Sequence, residues 1–129
     1  MIAVDTNILV RLLTQDDEQQ YIHSLKLFQE NDIFVPNSVI LETEWMLRFA
    51  YHFQPKEICT GFRNLLGLQN VSVTNPTLIA QVLKWHEDGL DFTDAFHLAQ
   101  SHNCSSFHTF DDKFVKRAKG LSKVKVQKP

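Results

Sequence analysis

At 129 residues the chain has the length of one domain, 1–129, which buries roughly two-thirds of the surface that its unfolded form exposes. Its 43% hydrophobic and 22% charged residues are typical of a globular protein, so a disordered or low-complexity chain is excluded. The apolar runs are too short to span a membrane, and no basic region precedes an apolar stretch at the N-terminus. We therefore expect a cytoplasmic protein without a membrane anchor.

The net charge of −2 hides an asymmetry along the chain. Residues 1–112 carry all 15 acidic groups and 6 basic ones, whereas residues 113–129 carry 7 basic groups and no acid. A run of this kind is often only the solvated face of a surface helix and strand. It can also serve as an electrostatic arm for nucleic acid, and the sequence leaves both interpretations open.

Apolar periodicity predicts strands and helices in alternation. Short apolar runs bounded by polar residues predict strands at about 2–4, 33–35, 71–73, 106–109 and 124–126. Helical periodicity predicts helices at about 7–13, 17–30, 39–51, 55–66, 76–88, 92–102 and 111–119. Alternation without hairpin turn pairs indicates an α/β protein, an α/β/α sandwich around a central, mostly parallel sheet.

Asp5 lies at the carboxyl end of the first predicted strand, directly before a helix that Thr6 or Asn7 is placed to cap. Ligands of open parallel sheets bind in the crevice beyond the carboxyl ends of the strands, which makes Asp5 a candidate site residue. The competing interpretation is that Asp5 itself caps the helix. Asn37 or Ser38 is expected to cap the third helix.

Two glutamates of the third predicted helix have different surroundings. Steps of three and four put Glu42 on an apolar face with Val39 and Met46, without a basic residue at either spacing. Glu44 has Arg48 four residues later, the favourable spacing for an exposed helix ion pair. We therefore predict that Glu44 is a surface residue. Glu42 is predicted to be a partly buried acid that needs a partner, unless its side chain only reaches water from the edge of that face.

Further acids follow in the second half of the chain. Asp91 is placed to cap the helix that begins at 92, with Asp94 in the first turn as in a capping box. Because capping explains only one of the two, Asp94 is left to point out of the helix end, towards the crevice expected at Asp5. Asp111 follows the fourth strand and repeats the placement of Asp5.

Several conspicuous residues are assigned to packing. Trp45 is predicted to lie in the core, and Phe49 and Phe53 are candidates for a dimer face. Cys59 and Cys104 lack a CxxC spacing and are expected to be reduced and buried. They are also too few for a structural zinc site, which normally has four ligands.

Four acids are therefore expected to converge from two strand ends and two helices: Asp5, Glu42, Asp94 and Asp111. Carboxylates that are packed together repel one another unless a cation is bound. Oxygen ligands without Cys or His suit Mg²⁺ or Mn²⁺, ions that also take substrate phosphates as ligands. The chemistry that this arrangement predicts is phosphodiester hydrolysis.

The chain resembles the PIN-domain ribonucleases, and among them the VapC-like toxins of type II toxin–antitoxin pairs. The resemblance extends along the whole chain and is carried by Val4-Asp5-Thr6-Asn7, Leu41-Glu42-Thr43-Glu44-Trp45-Met46-Leu47, Asp91-Phe92-Thr93-Asp94-Ala95-Phe96-His97-Leu98-Ala99 and Thr109-Phe110-Asp111. Each motif is weak alone, whereas four in register are fairly specific.

This resemblance implies a divalent-metal-dependent endoribonuclease with RNA as its substrate. It implies that the four acids bind Mg²⁺ or Mn²⁺ and position the attacking water, while Thr6 and Asn7 orient Asp5 and line the site. Glu44 and Asp91 are nearby rivals within their motifs. The resemblance also implies a homodimer that a cognate antitoxin inhibits. The alternative is a non-catalytic PIN fold that only binds RNA or a protein, although the presence of all four acids favours catalysis.

Overall fold

The computed structural model of residues 1–129 contains seven helices and five short strands. In chain order they are β1 (Ile2–Ala3), α1 (Thr6–Thr14), α2 (Glu18–Glu30), β2 (Ile33–Phe34), α3 (Asn37–Phe49), α4 (Pro55–Leu66), β3 (Val71–Ser72), α5 (Pro76–Glu87), α6 (Phe92–Gln100), β4 (Ser106–His108), α7 (Asp112–Arg117) and β5 (Lys125–Gln127). Every predicted element is present. The chain divides into two compact units, residues 1–76 and residues 77–129.

The first unit contains a three-stranded parallel sheet in the order β1–β2–β3. Ile33 of the central strand lies opposite Ile2 on one side and Val71 on the other. Ile33 is fully buried, as expected for a parallel strand that is covered on both faces. In the same unit α1 packs against α2 and α3, α3 packs against α4, and α4 packs against β3.

The second unit pairs β4 with β5, also in parallel, with Ser106 opposite Lys125. The connection between these strands contains α7, which packs against β5 and provides the crossover that parallel pairing requires. α5 buries Ile79, Val82, Leu83 and Trp85. α6 buries Phe92 and Phe96, whose ring centroids lie 5.8 Å apart. Such aromatic pairs supply much of the apolar area of a small core.

The alternation of helices with parallel strands confirms the predicted α/β fold class. The hydrogen-bonded ladders comprise three strands in the first unit and two in the second. None of the helices has the length and apolar content that crossing a membrane would need.

Some local predictions are wrong. α3 begins at Asn37 itself, and its N-cap position is occupied by Pro36 without a side-chain hydrogen bond. The ring of Pro36 has no atom that could accept a hydrogen bond, so the helix begins without a capping side chain. The ring also holds φ near −63°. Trp45 is 55% exposed because it lies on the side of α3 turned away from the buried residues. Cys59 is buried as predicted, whereas Cys104 is exposed in the turn after α6.

Candidate active site

Asp5 lies at the junction of β1 and α1, two residues beyond the end of the strand. It is the N-cap of α1, and its Oδ1 accepts a hydrogen bond from the backbone N–H of Thr6 at 2.7 Å. The capping interpretation of Asp5 is therefore correct, and the prediction that Thr6 or Asn7 caps the helix is wrong. The carboxylate is exposed, and its second oxygen accepts no hydrogen bond. One bond to the backbone thus fixes Asp5 and leaves an oxygen available as a ligand.

Thr6 connects this helix start to the second acidic motif. Its side chain is buried, and its hydroxyl donates a hydrogen bond to Oε1 of Glu42 on α3. The first unit therefore links Glu42 to the residue that follows Asp5. Asn7 is exposed, and its side chain makes no hydrogen bond.

The two glutamates of α3 have exchanged their predicted environments. Glu42 is exposed, whereas Glu44 is 1% exposed. The buried face of α3 consists of Ile40, Thr43, Glu44 and Leu47. This face is rotated by about 100°, one residue, from the predicted one. The prediction that Glu42 is partly buried is therefore wrong, and so is the prediction that Glu44 lies at the surface.

The predicted ion pair between Glu44 and Arg48 is present, and it explains how Glu44 can be buried. Nε of Arg48 donates to Oε2 of Glu44 at 2.9 Å, and Nη2 donates to Oε1 at 3.1 Å. A buried carboxylate is tolerated when a cation pairs with it and supplies hydrogen bonds to both oxygens. Arg48 thus engages both carboxylate oxygens of Glu44, whereas Glu42 is the exposed acid of this helix.

Three aspartates of the second unit line one pocket of about 390 Å³. The pocket residues are Leu90, Asp91, Asp94, Asp111, Lys113, Phe114 and Arg117. Asp91 caps α6 by accepting a hydrogen bond from the backbone N–H of Asp94 at 3.2 Å, as predicted. Asp111 caps α7 through the backbone N–H groups of Lys113 at 2.9 Å and Phe114 at 3.2 Å. Since Asp91 is used as the cap, the side chain of Asp94 is left to face the pocket.

The pKa of Asp94 is raised above its usual value. Burial of the carboxyl is the main cause, and the negative charges of Asp91 and Asp111 add to it, while His97 acts in the opposite direction. The ionised form of Asp94 is therefore disfavoured within this cluster. A bound cation would relieve that repulsion, so the electrostatics of the pocket fit a metal site.

The donor chemistry also fits a hard divalent ion, because the candidate ligands are carboxylate oxygens. Within either unit, however, no three His, Cys, Asp or Glu side chains stand close enough together to enclose a metal ion. Mg²⁺ commonly takes only one or two protein carboxylates and completes its shell with water and substrate phosphates. His97 lies one turn after Asp94, but its ring stacks on Phe107 at 6.1 Å between centroids, which indicates packing.

Two pocket residues, Lys113 and Arg117, were not among the predicted site residues. The sequence placed them only in the basic run of residues 113–129, which was open to two interpretations. Their proximity to Asp111 along the chain was the available signal. Lys113 and Arg117 are four positions apart, so they lie on one side of α7, in the pocket that its capping residue Asp111 also lines.

Comparison with known proteins agrees with the motifs. The family model described as the PIN domain matches residues 2–120, which confirms the resemblance to PIN-domain proteins. A search of curated proteins finds no match. Among solved structures, the crystal structure of Mycobacterium tuberculosis VapC20, a sarcin-ricin loop cleaving toxin, is similar. It is 21% identical, with 97% of this chain and 99% of that chain covered and a TM-score of 0.45.

Proposed function

The chain belongs to the PIN domain family, and from this premise we propose that it is a divalent-metal-dependent endoribonuclease that hydrolyses phosphodiester bonds of RNA. The acids that we assign to metal binding and catalysis are Asp5, Glu42, Asp94 and Asp111. The observation that carries the proposal is the pocket lined by Asp91, Asp94 and Asp111. Three carboxylates around one pocket stabilise a fold poorly, because they repel one another, whereas they are useful for holding a cation.

The metal that fits these oxygen ligands is Mg²⁺ or Mn²⁺. When bound, such an ion supplies positive charge that activates water and stabilises the leaving oxygen of a phosphodiester. The protein contributes the orientation of its carboxylates. The backbone N–H of Thr6 fixes Asp5, and the N-terminus of α7 fixes Asp111.

Thr6 is proposed as a positioning residue, because its hydroxyl holds the carboxylate of Glu42. Asn7 is proposed to contact the substrate, since it is exposed near Asp5 in the sequence and its side-chain amide makes no hydrogen bond within the chain. An exposed amide can donate to a phosphate oxygen of RNA and accept from a sugar hydroxyl.

The biological role that we propose is that of the toxin in a toxin–antitoxin pair, in the cytoplasm, as a homodimer that a cognate antitoxin inhibits. Exposed aromatic side chains on α3 support a protein partner: Trp45 and Phe49 are both more than half exposed, with ring centroids 5.1 Å apart. Exposed aromatic pairs are enriched in protein interfaces. We also propose that residues 1–129 form a single PIN-like domain, since the family match runs through the boundary at residue 76.

The test of the nuclease is cleavage of total RNA by the purified chain with Mg²⁺ or Mn²⁺, and its loss with EDTA. A matched pair of variants, Asp111→Asn and Asp112→Asn, locates the site. Asp111 lines the acidic pocket, whereas its neighbour is exposed and ion-paired with Lys128. We expect Asp111→Asn to lower cleavage by at least about 100-fold, because loss even of a ligand's supporting partner costs 10- to 100-fold.

The outcome that would contradict this proposal is equal cleavage by both variants, or cleavage that persists in EDTA. RNA binding without any cleavage would instead favour the alternative, a PIN fold that only binds RNA or a protein. Expression with and without the neighbouring reading frame tests the toxin role through growth. Analytical ultracentrifugation tests the homodimer.

A further inference from the structure

We infer that the basic segment, residues 113–129, binds the phosphate backbone of RNA, and that Lys113 and Arg117 hold the phosphates next to the acidic pocket. This inference rests on the proposed function for the identity of the nucleic acid. It adds residues that are not among the four assigned acids, and it offers a function for the charge asymmetry of the chain.

Two cations line the acidic pocket together with its three aspartates. Lys113 and Arg117 both line it, but Lys113 forms no ion pair, and Arg117 donates from Nη1 to the backbone carbonyl of Gly89 at 3.3 Å. Neither Lys113 nor Arg117 forms an ion pair with a carboxylate. Arg117 is therefore held at the pocket edge by one donor while its remaining donors are available to a phosphate.

A phosphate beside three carboxylates needs such partners. RNA is an anion, and a pocket lined only by Asp91, Asp94 and Asp111 would repel it. A divalent ion bound by the carboxylates would offset part of this repulsion. Lys113 and Arg117 on α7 would offset it further by contacting phosphates at the pocket.

The remaining lysines of the segment extend this basic surface. A second pocket, of about 260 Å³, is lined by Lys119, Lys123 and Lys125 and by no acidic residue. It lies in the turn between α7 and β5, immediately after Lys113 and Arg117 along the chain. Of the seven basic side chains in the segment, only Lys128 is paired with an acid, Asp112. The segment therefore offers several unpaired cations in succession, as a nucleic-acid backbone requires.

The charge distribution favours RNA over a merely solvated face. Residues 1–112 carry a net charge of −9, which on balance disfavours the approach of an anionic RNA to that part of the chain. Seven basic groups without a single acid provide a local region of opposite sign. A solvated face needs no such segregation, because mixed charges keep a surface soluble equally well.

The experiment measures binding of a labelled single-stranded RNA to the full chain by fluorescence anisotropy, in EDTA so that cleavage does not interfere. Binding constants are measured over a series of KCl concentrations for wild type and two double variants, Lys113→Gln/Arg117→Gln and Lys119→Gln/Lys123→Gln. The control is Lys26→Gln/Lys56→Gln, which removes the same charge from exposed positions on α2 and α4. A charge-preserving variant, Lys113→Arg, completes the set.

Each lost phosphate contact is expected to reduce the slope of log K against log salt by about 0.7 for a single strand. Both double variants of the segment should therefore lose about 1.4 of slope, while the control and Lys113→Arg retain the wild-type slope. Unchanged urea midpoints confirm that the variants are folded. A wild-type slope in both segment variants, or an equal loss in the control, would overturn the inference.

Failure of this inference is distinguishable from failure of the proposed function. Wild-type cleavage with unaltered salt slopes would refute the basic segment and leave the nuclease intact. Reduced slopes in a protein that never cleaves RNA would refute the nuclease and support the segment. Binding of a polyglutamate peptide with the same variant dependence, without binding of RNA, would show a protein-binding surface and overturn the inference.

Discussion

The hydroxyl of Thr6 donates a hydrogen bond to the carboxylate of Glu42, 36 residues away along the chain. The bond joins the first turn of α1 to the exposed face of α3, and Thr6 directly follows Asp5. A single buried hydroxyl thus sets the orientation of one candidate metal ligand and adjoins another. Loss of this hydroxyl should therefore lower the rate of RNA cleavage more than the stability of the fold.

Thr6→Val removes this hydroxyl at nearly constant volume. We expect cleavage to fall by about 10- to 100-fold, as for other residues that orient a metal ligand. Stability should fall by only about 1 kcal/mol, because Glu42 is exposed and exchanges the lost bond for water. Cleavage rates and urea unfolding measure the two effects. Thr6→Ser keeps the donor and should retain activity; equal loss in both variants would contradict a positioning role.

Asp94→Asn should abolish cleavage while stabilising the protein at neutral pH. The pKa of Asp94 is raised in the folded state, mainly by burial and then by Asp91 and Asp111, so the folded chain binds a proton more tightly than the unfolded chain. Stability of the wild type therefore falls as pH rises through that pKa. The asparagine cannot ionise, so the variant does not lose this stability as the pH rises to neutral.

Urea unfolding at several pH values checks this sign. The gap in stability between Asp94→Asn and wild type should be largest at neutral pH and should close in acid, where Asp94 is protonated. A variant that is less stable than wild type at pH 7 would contradict the cluster of like charges.

Much of this fold could be predicted because its elements are local. Periodicity located every helix and strand, and the position of Asp91 before its helix predicted that it caps α6. The buried face of α3 could not be predicted in this way. Ile40 and Leu47 define one apolar face and Val39 and Met46 define another, one residue apart. The hydrophobic pattern alone does not choose between these faces, and the observed one also buries Glu44, which is paired with Arg48.

The candidate site, too, could be predicted only in part. Chain order supplied the acidic residues, and the structure added the bond from Thr6 to Glu42 and the cations that share a pocket with Asp94. Both the hydrogen bond and the shared pocket depend on the direction in which side chains point, which the order of residues does not show. The spacing of Glu44 and Arg48 predicted their ion pair, but it did not show that the pair is buried.

Glu42→Gln and Glu44→Gln should have opposite effects. Glu42 is exposed, so its substitution is expected to leave stability within about 0.5 kcal/mol of wild type and to reduce cleavage by at least about 100-fold. Glu44 is buried against Arg48, so its substitution should cost about 1–3 kcal/mol and leave cleavage largely intact at low temperature. Cleavage assays and urea unfolding of both variants decide between the two glutamates; the reverse result would make Glu44 the catalytic acid.

The last prediction concerns stability in acid, at a cluster in the first unit. The pKa of Asp16 is held below its usual value, mainly by the hydrogen bond that the Tyr51 hydroxyl donates to its Oδ2 at 2.6 Å. The hydroxyl of Thr14 and the guanidinium of Arg11, 2.8 and 2.9 Å from Oδ1, act in the same direction. Because the folded pKa is depressed, this stabilisation is present above the unfolded pKa and is lost as pH falls through the folded one.

Tyr51→Phe removes the strongest of these bonds. We expect the variant to unfold at lower urea than wild type at neutral pH, and the gap between them to narrow in acid, where Asp16 is protonated in both. Tyr21→Phe is the matched control, because the Tyr21 hydroxyl on α2 makes no hydrogen bond and its loss should have the same small effect at every pH. A gap between Tyr51→Phe and wild type that stays constant with pH would show that the hydroxyl acts on Arg11 alone and not through the charge of Asp16.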